Sequence, residues 1–214
     1  MTTATTIAEL VTPQPALLLI GPTGVGKTPL GEYAEAHGYR GKRCTHFDFG
    51  AALRGVDEMG SPVGTLTGDD VAFIHKVLTE GALLENETFY IAAELLNAHI
   101  ADSQITRDDY VLLNGLPRHV DQANAVDAII RVVHVLNLKC SPAVVYERIG
   151  LNSGGDRAVR TDDAPEAIAR KLAIFETRTQ PLIDHYRNQG IPVTDIEVGV
   201  QTAPAAIWQQ FEQQ

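Results

Sequence analysis

The run Gly21-Pro22-Thr23-Gly24-Val25-Gly26-Lys27-Thr28 fits the pattern G-x-x-x-x-G-K-[ST] at every fixed position. The chemistry that needs this spacing is the gripping of a polyphosphate. Glycines reach backbone angles closed to other residues, so successive N–H groups can turn around phosphate oxygens. A lysine just beyond them reaches the β- and γ-phosphates, and the next hydroxyl helps hold Mg²⁺. Residues 21–28 are therefore the expected ATP-binding set, with Lys27 also catalytic and Thr28 a Mg²⁺ ligand. The loop alone does not name the reaction, because ATP-driven unfoldases, transferases that modify RNA and small-molecule kinases share it. An unfoldase needs an apolar strand ending in Asp-Glu to activate water, and the well-placed strand end here reads Val111-Leu112-Leu113-Asn114.

Such a loop works between a buried strand and a helix. Residues 16–20, ALLLI, form a short apolar run that stops at Gly21, as a buried parallel strand does on entering a turn. A helix is expected over 28–37, closed by Gly38 in the left-handed region. Further strands are expected at 44–49, 110–114, 132–138 and 192–198, with helical stretches between them. This alternation predicts an α/β fold, a three-layer α/β/α sandwich around a five-stranded parallel sheet, as one domain over 1–214. The longest helix is expected over 164–188, opened by Asp163 with Glu166 three positions on, which is close to a capping box. Its Ile168, Leu172, Phe175, Leu182 and Tyr186 recur at helical spacing and read as a stripe facing the core. The polar tail 209–214 is expected to fray.

Bulk composition narrows the partners. The 27 acidic against 17 basic residues give a formal charge of −10, which repels nucleic acid polymers and anionic membrane surfaces. A small polyphosphate is different, because local arginines and backbone N–H groups bind it even in an acidic protein. Cys44 and Cys140 stand far apart without zinc spacing and read as buried apolar residues. The first residues lack a basic segment followed by an apolar stretch, and no run approaches the roughly 18 apolar residues of a membrane span, so a cytoplasmic location is expected.

Past the loop, a series of segments carries further patterns. Asp48-Phe49-Gly50-Ala51-Ala52-Leu53-Arg54 is similar to S-T-G-D-x-L-R, and Gly81-Ala82-Leu83-Leu84 to G-x-L-V. Asn114-Gly115-Leu116-Pro117-Arg118 with Gln122 looks like D-G-F-P-R-x-x-x-Q. Glu147-Arg148-Ile149 is similar to E-R-I, and Arg160-Thr161-Asp162-Asp163, Lys171-Leu172 and Thr179-Gln180-Pro181-Leu182-Ile183 resemble R-x-D-D, R-L and T-x-P-L-I. Together with the glycine loop, these segments resemble the adenylate kinase family of nucleoside monophosphate kinases, and the resemblance implies transfer of the γ-phosphoryl group of Mg-ATP to a nucleoside monophosphate, with small nucleotides as partners and a monomeric chain. It implies an acceptor site of Phe49, Gly50, Arg54, Leu83, Leu84, Gly115, Arg118 and Gln122, within an insert at 48–101. Arg54 and Arg118 hold the acceptor phosphate, Gln122 reads the base, and Arg148 stacks near the donor base. Residues 150–160 take the place of the family's lid, as a short flap carrying Arg157 and Arg160. Transfer spreads negative charge over the equatorial oxygens, so converging cations lower its barrier. Arg118, Arg157, Arg160 and Lys171 are expected to act there with Lys27. The resemblance also suggests a cis peptide at Leu116-Pro117.

Several positions depart from the family pattern. Phe49 replaces a threonine that helps recognise adenine, Ala51 replaces an aspartate, and Lys171 replaces an arginine and loses its bidentate fork. Asn114 stands where an aspartate orders the metal's water shell, and a neutral amide attracts Mg²⁺ less than a carboxylate does. Asp163 reads as a helix cap more readily than as a compensating metal group. His46 and His119 flank the acceptor site without an expected catalytic role. Three readings stand: a nucleoside monophosphate kinase, a P-loop kinase of another small metabolite, and a nucleotide-binding protein of kinase fold with little activity.

Overall fold

The computed structural model describes residues 13–156 and 164–214. Five strands form one parallel sheet in the order β2-β3-β1-β4-β5. They are β1 (Gln14–Ile20), β2 (Cys44–Asp48), β3 (Tyr110–Asn114), β4 (Ile130–Lys139) and β5 (Val193–Glu197), close to the expected positions. Side chains alternate across a strand, and β1 shows the consequence. Ala16, Leu18 and Ile20 enter one core cluster, while Leu17 and Leu19 enter the other. The register between β1 and β4 passes from Ala16↔Val132 to Leu17↔His134, so Val133 is an extra residue in the ladder. That bulge puts Val132 and Val135 on one face despite their odd spacing.

Helices cover both faces. On one lie α1 (Lys27–His37) and, at the far end of the chain, a helix of residues Pro204–Glu212, packed through Leu30, Ala34, Ile207, Trp208 and Phe211. On the other lie α2 (Phe49–Met59), α3 (Gly68–Glu80), α4 (Phe89–Asp102) and α5 (Val120–Val126), while α6 (Pro142–Gly150) follows β4 in the chain and brings Val145 and Ile149 against Gly24 of the glycine loop. Gly38 closes α1 at φ +75 and donates its N–H to the Ala34 carbonyl at 2.8 Å. The three-layer α/β/α arrangement is thus present.

Three local expectations need correction. The helix expected over 164–188 is divided into α7 (Pro165–Ile174), a wider π-type turn (Phe175–Thr179) and α8 (Pro181–Asn188). Pro181 has no N–H to give and its ring crowds the carbonyl four residues back, so the preceding turn opens. The Gln180 N–H then bonds the Phe175 carbonyl at 2.8 Å. The residue capping α7 is Ala164, without a side-chain cap bond, and Asp163 lies outside the described residues. The tail is helical as far as Glu212: the last helix, α9 (Pro204–Glu212), buries Trp208 and Phe211, and the Trp208 indole N–H bonds the Gly38 carbonyl at 3.1 Å. Of the two cysteines, Cys44 is buried as expected, its thiol pushed up to about 12 by burial and by Glu35, whereas Cys140 is only half-buried.

Candidate active site

In a parallel sheet the crevice beyond the carboxyl ends of the strands, where the chain order reverses, is the natural ligand site. Here β1 ends in the glycine loop, with Asp48 and Asn114 at the ends of β2 and β3 beside it. Gly24 and Gly26 adopt φ +74 and +101. A Cβ at Gly24 would stand 2.7 Å from Cγ1 of Ile149, and one at Gly26 would stand 2.9 Å from Nη2 of Arg148. Both positions therefore need glycine for conformation and for space. Lys27 begins α1 and donates from Nζ to the carbonyls of Gly21 and Pro22 at 2.7 and 2.8 Å.

Arg148 works from beneath the loop. Its Nε donates to the Gly24 carbonyl at 3.2 Å, and Nη1 donates to the carbonyls of Gly199, Val200 and Thr202 at 2.7, 3.0 and 3.3 Å. At 3% exposure it is a strut joining the glycine loop to the 199–202 segment.

A second group gathers where β2 and β3 pair in direct register, Asp48 opposite Asn114. The Thr28 hydroxyl donates to Asp48 Oδ2 at 2.7 Å, and Asn114 Nδ2 donates to the same oxygen at 2.8 Å. Asp48 also caps α2, its Oδ1 accepting the Ala51 N–H at 2.9 Å. Burial works to raise the Asp48 pKa. The bonds from Thr28 and Ala51, with the charge of Arg54, outweigh it, and the carboxyl sits below its usual value. Asn114 Nδ2 also stands 3.4 Å from His46 Nε2. Burial lowers the His46 pKa against the pull of Asp48 and Glu35, leaving a neutral ring able to accept that N–H.

The far side of the cleft is built by α2, the turn after α3, and the segment after β3. Phe49, Gly50, Arg54, Leu83, Leu84, Gly115, Arg118 and Gln122 line one cavity with Gly21, Thr23, Gly24, Gly26, Lys27 and Thr28. Lys171, near the end of α7, lines it too, as do Asp156, Phe175 and Thr179. Gly115 turns at φ +82, and the Leu116-Pro117 bond is cis. Arg118 is fixed through its main chain: its N–H donates to Gln122 Oε1 at 2.8 Å, and its carbonyl accepts from the Thr179 hydroxyl at 2.8 Å. Burial pushes the Arg118 pKa down and Asp48 pulls it back up, and a guanidinium stays charged in either case. Gln122 has both amide ends engaged, since Nε2 donates to the Leu84 carbonyl at 2.7 Å, and it is 1% exposed. Phe49 is 4% exposed in the core cluster, with Phe47 beside it.

The structure thus brings together the donor loop, Arg54, Arg118, Lys171 and the expected acceptor residues. Val25 belongs instead to the core at 0% exposure. Arg157 and Arg160 lie outside the described residues. Sequence reasoning gave no role to Asp48 or Thr179. The strand that Asp48 closes is separated from the glycine-loop strand by β3, so no local pattern marks Asp48, and Thr179 is turned inward by the π-type turn that precedes Pro181.

Residues able to hold a Mg-nucleotide are present: glycines where a Cβ would collide, a lysine, a hydroxyl and a carboxylate at the strand ends. Among the described residues no group of three His, Cys, Asp or Glu is placed to hold a metal by itself. No helix of the described residues is long and apolar enough to cross a membrane.

The family model described as adenylate kinase matches residues 19–191. An adenylate kinase of Rhodopirellula baltica is 34% identical over 188 residues, covering 85% of each chain. One of Streptococcus mutans is 29% identical over 207 residues, covering 85% of this chain and 90% of the relative. Among solved structures, a gluconokinase from Sinorhizobium meliloti 1021 aligns at a TM-score of 0.48 and 16% identity, over 93% of this chain and 94% of the other.

Proposed function

The chain belongs to the adenylate kinase family and is an ATP-dependent phosphotransferase, and on that premise we propose that it converts Mg-ATP and a nucleoside monophosphate into ADP and a nucleoside diphosphate. The observation that carries this reading is one cavity lined on one side by the glycine loop and on the other by Arg54, Arg118 and the turn at Leu83 and Leu84. Two phosphorylated ligands entering from opposite sides meet between Lys27 and Arg118. Transfer is then direct and in line, with no covalent enzyme intermediate.

In this reading Lys27 leaves the loop carbonyls for the β- and γ-phosphates, while Arg54 and Arg118 hold the acceptor phosphate against its own charge. Arg118, with Lys171 and the flap residues Arg157 and Arg160, offsets charge as it spreads over the transferring group. The Thr28 hydroxyl would help hold the Mg²⁺ of a bound Mg-nucleotide, which would offset the negative charge of the phosphates. Residues 48–101 act as the acceptor insert and 150–160 as a short lid whose closure keeps water from competing.

One observation favours a second acceptor class. Gln122, expected to read the base, spends its amide on the Arg118 N–H and the Leu84 carbonyl. A phosphorylated metabolite without a base would need the arginines and not that amide. The test is incubation with Mg-ATP and each of AMP, CMP, UMP, GMP and dTMP, with products resolved by chromatography. Diphosphate from one acceptor supports the first reading. ADP formed only with other phosphorylated metabolites supports the second, and free phosphate without any phosphorylated product overturns both.

A further inference from the structure

In the family pattern a carboxylate follows the strand occupied here by β3, and another stands three residues after the end of β2. This chain has Asn114 and Ala51 at those places. The carboxylate has not left the site. Asp48 closes β2 directly opposite Asn114, and its Oδ2 receives hydrogen bonds from both the Thr28 hydroxyl and the Asn114 amide, at 2.7 and 2.8 Å. We propose that Asp48 is the carboxylate that orders the water shell of the Mg²⁺ arriving with the triphosphate, and that Asn114 is its matched donor rather than a weakened ligand.

Three details support the transposition. The Thr28 hydroxyl gives its proton to Asp48 and its oxygen accepts the Asn114 amide at 3.3 Å, which leaves one lone pair of that oxygen for a cation. Oδ1 of Asp48 is held by the Ala51 N–H at 2.9 Å, so the carboxylate is oriented at both oxygens. The amide of Asn114 stands between the carboxylate and the neutral His46 ring, and so faces acceptors that only a donor can satisfy. An aspartate at 114 would instead set two carboxylates against each other at hydrogen-bond distance, which the pair tolerates only by sharing a proton. The second carboxylate lining the cleft, Asp156, comes from the segment after α6. The inference rests on the reading that the site holds Mg-ATP and is independent of which acceptor is used.

The experiment measures binding and requires no acceptor, so it stands apart from any failure of the kinase assay. A non-hydrolysable ATP analogue is titrated calorimetrically into the wild type, Asp48→Asn, Asn114→Asp and the exchange variant Asp48→Asn/Asn114→Asp, with and without Mg²⁺. Asparagine caps helices as well as aspartate does, so α2 keeps its start. Asp48→Asn should lose about tenfold of the enhancement that Mg²⁺ gives to binding, with metal-free affinity kept or improved. The exchange variant should recover that enhancement to within about threefold of wild type. An enhancement unchanged by Asp48→Asn would overturn the role of Asp48, and an exchange variant no better than Asp48→Asn would overturn the transposition. Should the Asp48 variants fail to fold, Mn²⁺ with the analogue in the wild type decides: broadening of the Asp48 carboxyl ¹³C resonance supports the inference, and its absence overturns it.

Discussion

Gly31 lies inside α1, where replacement by alanine would ordinarily stabilise, because glycine is the poorer helix former by about 1 kcal/mol. The structure reverses that sign. A Cβ built on Gly31 comes closer than 3.0 Å to three ring atoms of His46, so the ring or the helix has to move. Overpacking of this kind costs roughly 1–3 kcal/mol, which exceeds the helix gain and leaves Gly31→Ala about 1 kcal/mol less stable than wild type. For a chain of this size that is a fall of about 2–4 °C in Tm. The ring is also not idle, since its Nε2 faces the Asn114 amide at 3.4 Å. In a His46→Ala background the obstacle is gone, and the same Gly31→Ala change should stabilise by up to about 1 kcal/mol. Urea denaturation of the four proteins reads the coupling, expected near 2 kcal/mol from the difference of those two effects. If Gly31→Ala stabilises the wild type as much as it stabilises His46→Ala, the packing argument is wrong.

Arg148→Ala should cost about 3 kcal/mol of stability and raise the KM for ATP, because carbonyls of the glycine loop and of residues 199–202 lose a charged donor; Arg148→Lys should recover less than half of this. Denaturation midpoints and initial-rate kinetics check both parts. Tyr186 buries its hydroxyl without a hydrogen-bond partner among the described residues, so Tyr186→Phe should stabilise by about 1 kcal/mol in urea unfolding. Burial lowers the pKa of His99 and His134 below the ordinary 6.5, with Arg40 lowering His134 further and Glu35 and Asp102 opposing at His99. The unfolded chain therefore takes up protons first as pH falls. The stability contributed by these neutral rings is full above pH 6.5 and declines below it, until the lowered folded values are passed. Urea midpoints at pH 7.5 and 5.5 should show the decline, and His134→Gln should reduce it.

The sequence by itself determined the sheet, the donor loop and the cleft-lining arginines. Apolar runs of strand length and helical periodicity depend on neighbours a few residues away, and a glycine loop carries its own conformation, so both are legible locally. The ends of the elements were less so. The turn at Phe175–Thr179 depends on how Pro181 disturbs a helix already docked against the sheet, and the polar tail is held because Trp208 and Phe211 find a core made by α1 and β1. The role of Asp48 was a tertiary matter altogether. Read along the chain, Asn114 looks like a lost charge and Asp48 has no role of its own. Only the pairing of β2 with β3, across 66 residues of chain, sets the two side chains on one oxygen contact. In the same way the amide of Gln122 looks available for a base until folding brings the Leu84 carbonyl to it. Hydrogen bonds between distant segments decide what a polar group has left to offer, and a linear pattern holds no record of them.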